Sequence, residues 1–298
     1  MKIRGPDSNQ RRLTSTSLIG LFGVAFAVLS GAGCPRHLPI ARPYPAPNAA
    51  DLAGVIGARQ KVISSMNARV RATSWLGGDR VRATVLMLVD RPGRLRLEAE
   101  VSLQGTVAIL ATDGQTFGFL DMQKNELRRG PACPANVASL IRIPLGPADV
   151  AAILLGDARL PAAGDDGTVD WDETVGADVL AIRRDDGWLR LLFKGAGAAG
   201  VDRQLVGAVA TWPDGRARWR VAFEDFNRVT VATPPASVSL PQTIRFAEGS
   251  GSFDDGVEIK FKERTLNDVP APGSFTLTPS AGTTVVDIGC PPGTPAGG

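Results

Sequence analysis

Side chains that carry most enzyme chemistry are scarce in this chain. Its 298 residues include one histidine, His37, one tyrosine, Tyr44, and three cysteines, Cys34, Cys133 and Cys290. A Ser-His-Asp or Cys-His relay needs its histidine held in fixed geometry. His37 and Tyr44 instead fall in a stretch with prolines at 35, 39, 43, 45 and 47. That placement argues against histidine-based nucleophilic catalysis and against histidine-ligated metal sites. Asp-Gly pairs begin at Asp113, Asp166, Asp186, Asp214 and Asp255, and three of them are Asp-Asp-Gly. They lack the Asp-x-Asp-x-Asp-Gly spacing and distal Glu of a calcium loop. Asp-Gly between alternating runs is a hairpin signal, because Gly accepts φ > 0 without strain. "GAGAAG", Gly195 to Gly200, lies between two strand-like segments and so reads as a flexible loop, not a phosphate-binding fingerprint. Lys-Ser or two-carboxylate chemistry is marked by no motif. The expectation is a non-enzymatic protein with no catalytic residue, no metal ligand and no cofactor.

The cysteines have other uses. Lys2, Arg4, Arg11 and Arg12 precede a twelve-residue apolar run, Leu18 to Leu29, and small residues lead to Cys34. A basic n-region, a short apolar h-region and small residues make a signal peptide, residues 1–33, not a membrane span. Cys34 directly after it resembles the acylated cysteine of a bacterial lipobox, with Gly31 where that pattern prefers Leu. The alternative is an ordinary secretory signal with an incidental cysteine. The leader also carries the whole net charge of +3, with four basic residues and Asp7, so the remainder is neutral and nothing points to nucleic acid. Residues 34–49 read as a proline-rich tether, extended at about 3.1 Å per residue and reaching roughly 40 Å. With Cys34 lipidated, Cys133 and Cys290 remain, an even pair in an oxidising compartment, expected as a structural disulfide. Two independent thiols are the alternative. Residues 291–298 read as a disordered tail.

Residues 50–290 must position everything else, and their pattern is mainly β with a few helices. A helix opens the body, with Leu52, Val55, Ile56, Arg59, Val62, Ile63 and Met66 at i, i+3, i+4 spacing. "RVRATVLMLVD" places Val85 and Met87 on one face, and "RLRLEAEV" places Leu95 and Leu97 opposite Arg94, Arg96, Glu98 and Glu100. Seven further runs, TVAILAT, TFGFLD, VLAIRR, WLRLLF, QLVGAVATW, RWRVAFEDF and VEIKFKER, continue an antiparallel meander of about eleven strands. In its middle, "IRIPLGPADVAAILLG" is a short helix apolar on every side from Val150 to Leu155. It is either a lid over a concave apolar face or a plain core helix, and periodicity does not separate the two.

The order of these features resembles the LolA/LolB family, carriers and outer-membrane receptors that move lipoproteins by sheltering their acyl chains. The resemblance rests on "RVRATVLMLVDRPGRLRLEAEVSLQGTVAILATDGQTF", on "IPLGPADVAAILLG", and on "KFKERTLNDVPAPGSFTLTPSAGTTVVDI". It implies a half-open antiparallel β-barrel of about eleven strands with a helical lid. It further implies a cavity closed by Val150, Ile153, Leu154 and Leu155 and lined by alternates such as Val85, Met87, Leu95 and Leu97. The receptor's membrane-inserting leucine loop corresponds to "VSLQGT", where Gln104 holds the leucine position and Leu103 lies one residue earlier.

Pro35, where an Asp would retain a lipoprotein in the inner membrane, implies the outer membrane, facing the periplasm. The implied partners are acyl chains of lipoproteins or other envelope lipids, the membrane through the anchor, and a periplasmic carrier protein as donor. The implied state is a monomer. A second expectation is a scaffold or envelope-stress sensor with the same fold and a filled core. A third is a hydrolase with no visible motif.

Overall fold

The computed structural model describes residues 38–76, 79–160, 167–196 and 201–291. The segment read as a signal peptide, Cys34, His37 and all but Pro291 of the segment read as a tail lie outside them. Residues 39–298 form one compact unit to which every member of the core belongs, so the body carries what it needs to fold.

Helix α1 (Ala49–Val62) starts in a capping box. The Asn48 side chain accepts the Asp51 N–H at 2.8 Å, and the Asp51 carboxylate accepts the Asn48 N–H at 3.1 Å. The periodic pattern carries on to Met66, but the helix stops earlier because Ile63 turns extended. Met66 belongs to the first strand, β1 (Ser65–Leu76). Then come β2 (Asp79–Asp90), β3 (Arg94–Val101), β4 (Gly105–Thr112), β5 (Thr116–Asp121) and β6 (Glu126–Pro131). Two short helices, α2 (Pro134–Ile141) and α3 (Pro147–Leu154), interrupt the strands, each with proline at its first position. The series resumes with β7 (Thr168–Asp172), β8 (Ala177–Arg184), β9 (Gly187–Ala196), β10 (Val201–Thr211), β11 (Ala217–Val231), β12 (Ala236–Glu248), β13 (Val257–Leu266) and β14 (Thr284–Asp287).

All fourteen join one sheet, in the order β14-β6-β5-β4-β3-β2-β1-β13-β12-β11-β10-β9-β8-β7. Two antiparallel meanders, β1–β6 and β7–β13, thus meet where β1 pairs with β13. The sheet stays unclosed, an open barrel mainly of β structure with helices against its concave face, as expected. Among the described residues it has fourteen strands, where about eleven were foreseen. The Asp-Gly signals at Gly114, Gly187 and Gly215 sit at the β4–β5, β8–β9 and β10–β11 turns with positive φ. A fourth, Gly256, ends the β12–β13 loop, and Asp166 is outside the described residues.

The proline-rich segment foreseen as a free tether is held on the sheet from Ile40 onward. The Ile40 N–H donates to the Glu173 carbonyl at 2.9 Å, and Trp171 Nε1 donates to the Ile40 carbonyl at 2.6 Å. Tyr44 is buried edge-on to Trp171, its hydroxyl accepting the Gly195 N–H at 3.2 Å. Arg42 and Arg203 reach the fully buried Asp178 at 3.0 and 3.8 Å. An aromatic and an ion-pair partner inside a proline run convert a spacer into a strap, because each has a buried site to fill.

The chain's other end also lies on the sheet. Arg96 donates to the Ser274 carbonyl at 3.3 Å and Arg94 stacks over Phe275, so this return segment covers the outer face of β3. It then enters β14, parallel to β6, where the Asp287 carboxylate accepts from Arg129 at 2.7 Å. Cys290 bonds to Cys133, directly before α2, across 157 residues of sequence, with Cα atoms 6.1 Å apart. In the chain-entropy model such a loop is worth roughly 5 kcal/mol at most. A Cys133→Ala/Cys290→Ala variant should lose a few kcal/mol by urea denaturation, and dithiothreitol should shift the wild-type midpoint while leaving the variant's unchanged.

Candidate functional site

An open sheet with one apolar concave face must cover that face, since exposed apolar area costs about 25 cal/mol per Å². Here α3 covers it. Val150, Ala151, Ala152, Ile153, Leu154 and Leu155 are all buried, which explains a helix with no polar side. The residues named from the sequence converge on it. Val85, Met87, Leu95 and Leu97 belong to the same buried cluster as Val150, Ile153, Leu154 and Leu155. In this conformation the helix packs on β2 and β3 and fills the core as a plug.

Both ends of the plug rest on glycine. A Cβ on Gly93, in the β2–β3 turn, would lie 2.9 Å from the Ala148 nitrogen, so α3 begins in contact with bare backbone. At the other end Gly156 takes φ +72°, and its N–H bonds to the Ile153 carbonyl while the Asp157 N–H bonds to Ala152, a Schellman cap. A Cβ on Gly156 would sit 2.7 Å from Pro241, so this end is equally close-fitted.

Polar groups fasten the C-terminal end. Arg59 of α1 donates to the carbonyls of Gly156 and, at 3.0 Å, Ser239. Arg91 donates to the Ile63 carbonyl and pairs with the Asp157 carboxylate, both at 2.9 Å. The other Asp157 oxygen accepts the Ala158 N–H. Two cations at a helix C-terminus oppose its partial negative charge and fix where the helix ends. Burial pushes the Arg59 guanidinium down, and it pulls Arg264, which holds the Pro241 and Leu240 carbonyls nearby, down to about 10. At the N-terminal end Arg184 reaches Asp149 at 3.5 Å.

This latch escaped the sequence reading, although two signals marked it. Arg59 interrupts the apolar stripe of α1, and Asp157 places an acid just past a helix C-terminus, where an acid is unfavourable unless a cation meets it.

A groove of about 1130 Å³ opens at the N-terminal end of α3, bordered by Gly93, Asp113, Arg183, Asp185, Trp188 and Arg218. None of the eight cavity and lid residues named above lines it. Its border mixes arginine and aspartate with Leu145, Leu160, Trp188 and Trp219, so it is a mouth of mixed polar and apolar character beside the plug.

The loop singled out by resemblance is the most exposed apolar point of the described surface. Leu103 is completely solvent-exposed and has φ +71°. The Gln104 N–H closes a turn on the Val101 carbonyl at 3.1 Å, with Leu103 in the third position, where glycine or asparagine is the relaxed choice. Gln104 points sideways and accepts from the Gln123 side chain at 3.2 Å, beside the exposed Met122 of the next turn. The exposed residue is thus Leu103, and Gln104 braces the turn. Among the described residues no cluster of histidine, cysteine or acidic side chains could hold a metal ion.

Burial raises the Asp157 carboxyl, against the pull of Arg91, the Ala158 N–H and Arg59. A carboxyl raised above its unfolded value supports folding most at low pH, and that support fades as pH rises through the carboxylate range. Removing Arg91 steepens the loss. Arg91→Gln should cost about 3 kcal/mol at neutral pH, where an uncompensated buried carboxylate remains. Near pH 3 it should cost roughly half as much or less, read from urea midpoints at the two pH values.

No family model matches the chain, and no curated protein matches it in sequence. Solved structures do match in fold. A LolA superfamily protein from Nitrosomonas europaea superimposes with a TM-score of 0.51 at 10% identity, covering 78% of this chain and 99% of that one. A DUF1329 family protein from Desulfovibrio piger gives 0.51 at 9% identity, covering 76% and 95%. A domain assigned to outer membrane lipoprotein sorting, from Vibrio parahaemolyticus, gives 0.51 at 8% identity, also covering 76% and 95%. At such identities the likeness speaks for fold alone, and with the open sheet and its helical plug it is the LolA/LolB-like fold that this chain adopts.

Proposed function

We infer that this chain is a non-enzymatic lipoprotein of the bacterial envelope whose concave face shelters acyl chains of lipoproteins or other envelope lipids when α3 moves aside. The observation that carries this reading is the plug itself: a helix apolar on every side from Val150 onward, seated on glycine at both ends and fastened by a buried polar latch. Val150, Ile153, Leu154 and Leu155 together bury roughly 6–12 kcal/mol of apolar contact, an upper estimate. A long acyl chain at about 0.8 kcal/mol per CH₂ offers a comparable amount, so chain and helix can exchange at little net cost. In this reading Cys34 carries the lipid anchor, Pro35 favours the outer membrane, and Leu103 dips into the bilayer as cargo arrives from a periplasmic carrier or leaves. The neighbour assigned to outer membrane lipoprotein sorting supports the same direction.

A second reading rests on the same packing. With α3 in place the core is filled, and a filled core suits an interaction or stress-sensing lipoprotein that carries no lipid.

Native mass spectrometry of the detergent-free body, before and after organic extraction, separates the two. Extractable acyl lipid is the expected result. Titration with a fluorescent fatty acid should then show that Gly93→Ala, whose methyl presses on the Ala148 backbone, binds more tightly than wild type. The gain should be roughly tenfold for each 1.4 kcal/mol by which the closed state is weakened. A bare mass together with no uptake by either protein would leave the second reading standing.

Leu103→Gly should have opposite effects on stability and function. It relieves a left-handed leucine, so the protein should be about 0.5–1 kcal/mol more stable, yet transfer of lipid to vesicles should fall. A variant that gains stability and keeps full transfer would remove Leu103 from the mechanism.

A further inference from the structure

The geometry points to a cationic docking face for an anionic phospholipid bilayer on the outer side of the β1–β2 pair, beside the Leu103 turn. The registers place the charges. Thr73 faces Arg82, Trp75 faces Arg80, and Arg71 faces both Thr84 of β2 and Lys260 of β13, so all of these side chains lie on one surface of the sheet. It is the outer surface, because the alternate residues Val70 and Val85 are in the core. Arg71, Arg80 and Arg82 are all exposed.

None of the three has an ion-pair partner among the described residues. Of the acids nearby, Glu100 is engaged with Arg69 at 3.1 Å and Glu258 with Lys260 and Arg245 at 3.2 and 3.5 Å. Asp254 and Asp255, in the β12–β13 loop whose Gly256 carbonyl accepts the Trp75 N–H, are exposed and leave the three arginines a net positive charge of one. Arg80 is braced over the Trp75 ring at 5.4 Å, which holds the cation at the surface without neutralising it.

The same edge is apolar on its other side. Strand β2 pairs with β3 only from Thr84 onward, so the chain before it projects past β3 and leaves Val81 exposed toward the concave side, near the turn that displays Leu103. Exposed valine and leucine beside unpaired arginines give one rim two complementary features: apolar side chains that can enter a bilayer, and cations at the level of its headgroups. A wholly polar partner would leave Val81 and Leu103 uncovered, and a neutral lipid surface would leave three cations unmatched. Anionic lipid satisfies both.

This inference rests on the membrane role proposed for Leu103, so the experiment reads the arginines and the leucine separately. The body, residues 39–298, is sedimented with vesicles of phosphatidylcholine alone or mixed with phosphatidylglycerol. At about fivefold per arginine near an anionic surface, wild type should prefer the anionic vesicles by roughly a hundredfold at low salt. The preference should collapse near 1 M salt, where the Debye length is about 3 Å.

Arg71→Gln/Arg80→Gln/Arg82→Gln should bring anionic binding down to the neutral level with an unchanged urea midpoint. Leu103→Gly should weaken binding to both vesicle types and leave their ratio as it was. A triple variant that keeps the preference, or a wild type that shows none, overturns the docking face. If Leu103→Gly binds both vesicle types like wild type, the insertion role falls while the arginine comparison still decides this proposal.

Discussion

Everything in this molecule follows from the burial demand of one wide, unclosed sheet. Fourteen strands alternate apolar and polar side chains, and curling brings the apolar alternates onto one concave face that no second sheet covers. Helices must therefore supply the missing half of the core. α1 lays Leu52 and Ile56 against it, and α3 enters with every residue from Val150 to Leu155 apolar and buried. The Arg59–Asp157–Arg91 group has meaning in the same frame. It is a polar island at the edge of an otherwise apolar contact, and it fixes the register of the plug as apolar packing alone would not.

How much of this could be read from residues depends on which signal each element relies on. Strands with strict alternation, such as β2 and β3, or with Asp-Gly turns, such as β9 and β11, announce themselves. Strand β1 did not, because Ala68 and Ala72 dilute its alternation and Met66 also fits the helical stripe of α1. Strand β12 contains Pro241, which ordinarily argues against a strand. β7 and β14 are short, and β14 pairs in parallel with a strand far away in sequence, which no local pattern encodes.

The site shows the same division. That Val85, Met87, Leu95 and Leu97 share one face of their strands was legible from the period, and the structure puts them in one buried cluster with α3. Whether α3 fills the concavity or roofs it was not, since a helix apolar on all sides suits both. The strap was hidden for a different reason: proline content predicts an extended backbone correctly but says nothing of where Tyr44 and Arg42 come to rest. That depends on Asp178 and Trp171, more than a hundred residues away.

The two free edges of the sheet carry a consequence for association. An unclosed sheet exposes unpaired N–H and C=O groups along its outermost strands, which invite strand addition from another copy. Here one outermost strand, β7, has five residues with acids at Asp170 and Asp172, and the other, β14, has four and ends at Asp287. The much longer run from β6 inward is shielded by β14, which the Cys133–Cys290 bond prevents from peeling away. Short, acidic and covalently secured margins disfavour edge-to-edge strand addition, the hazard a sheet this wide carries when it stays open.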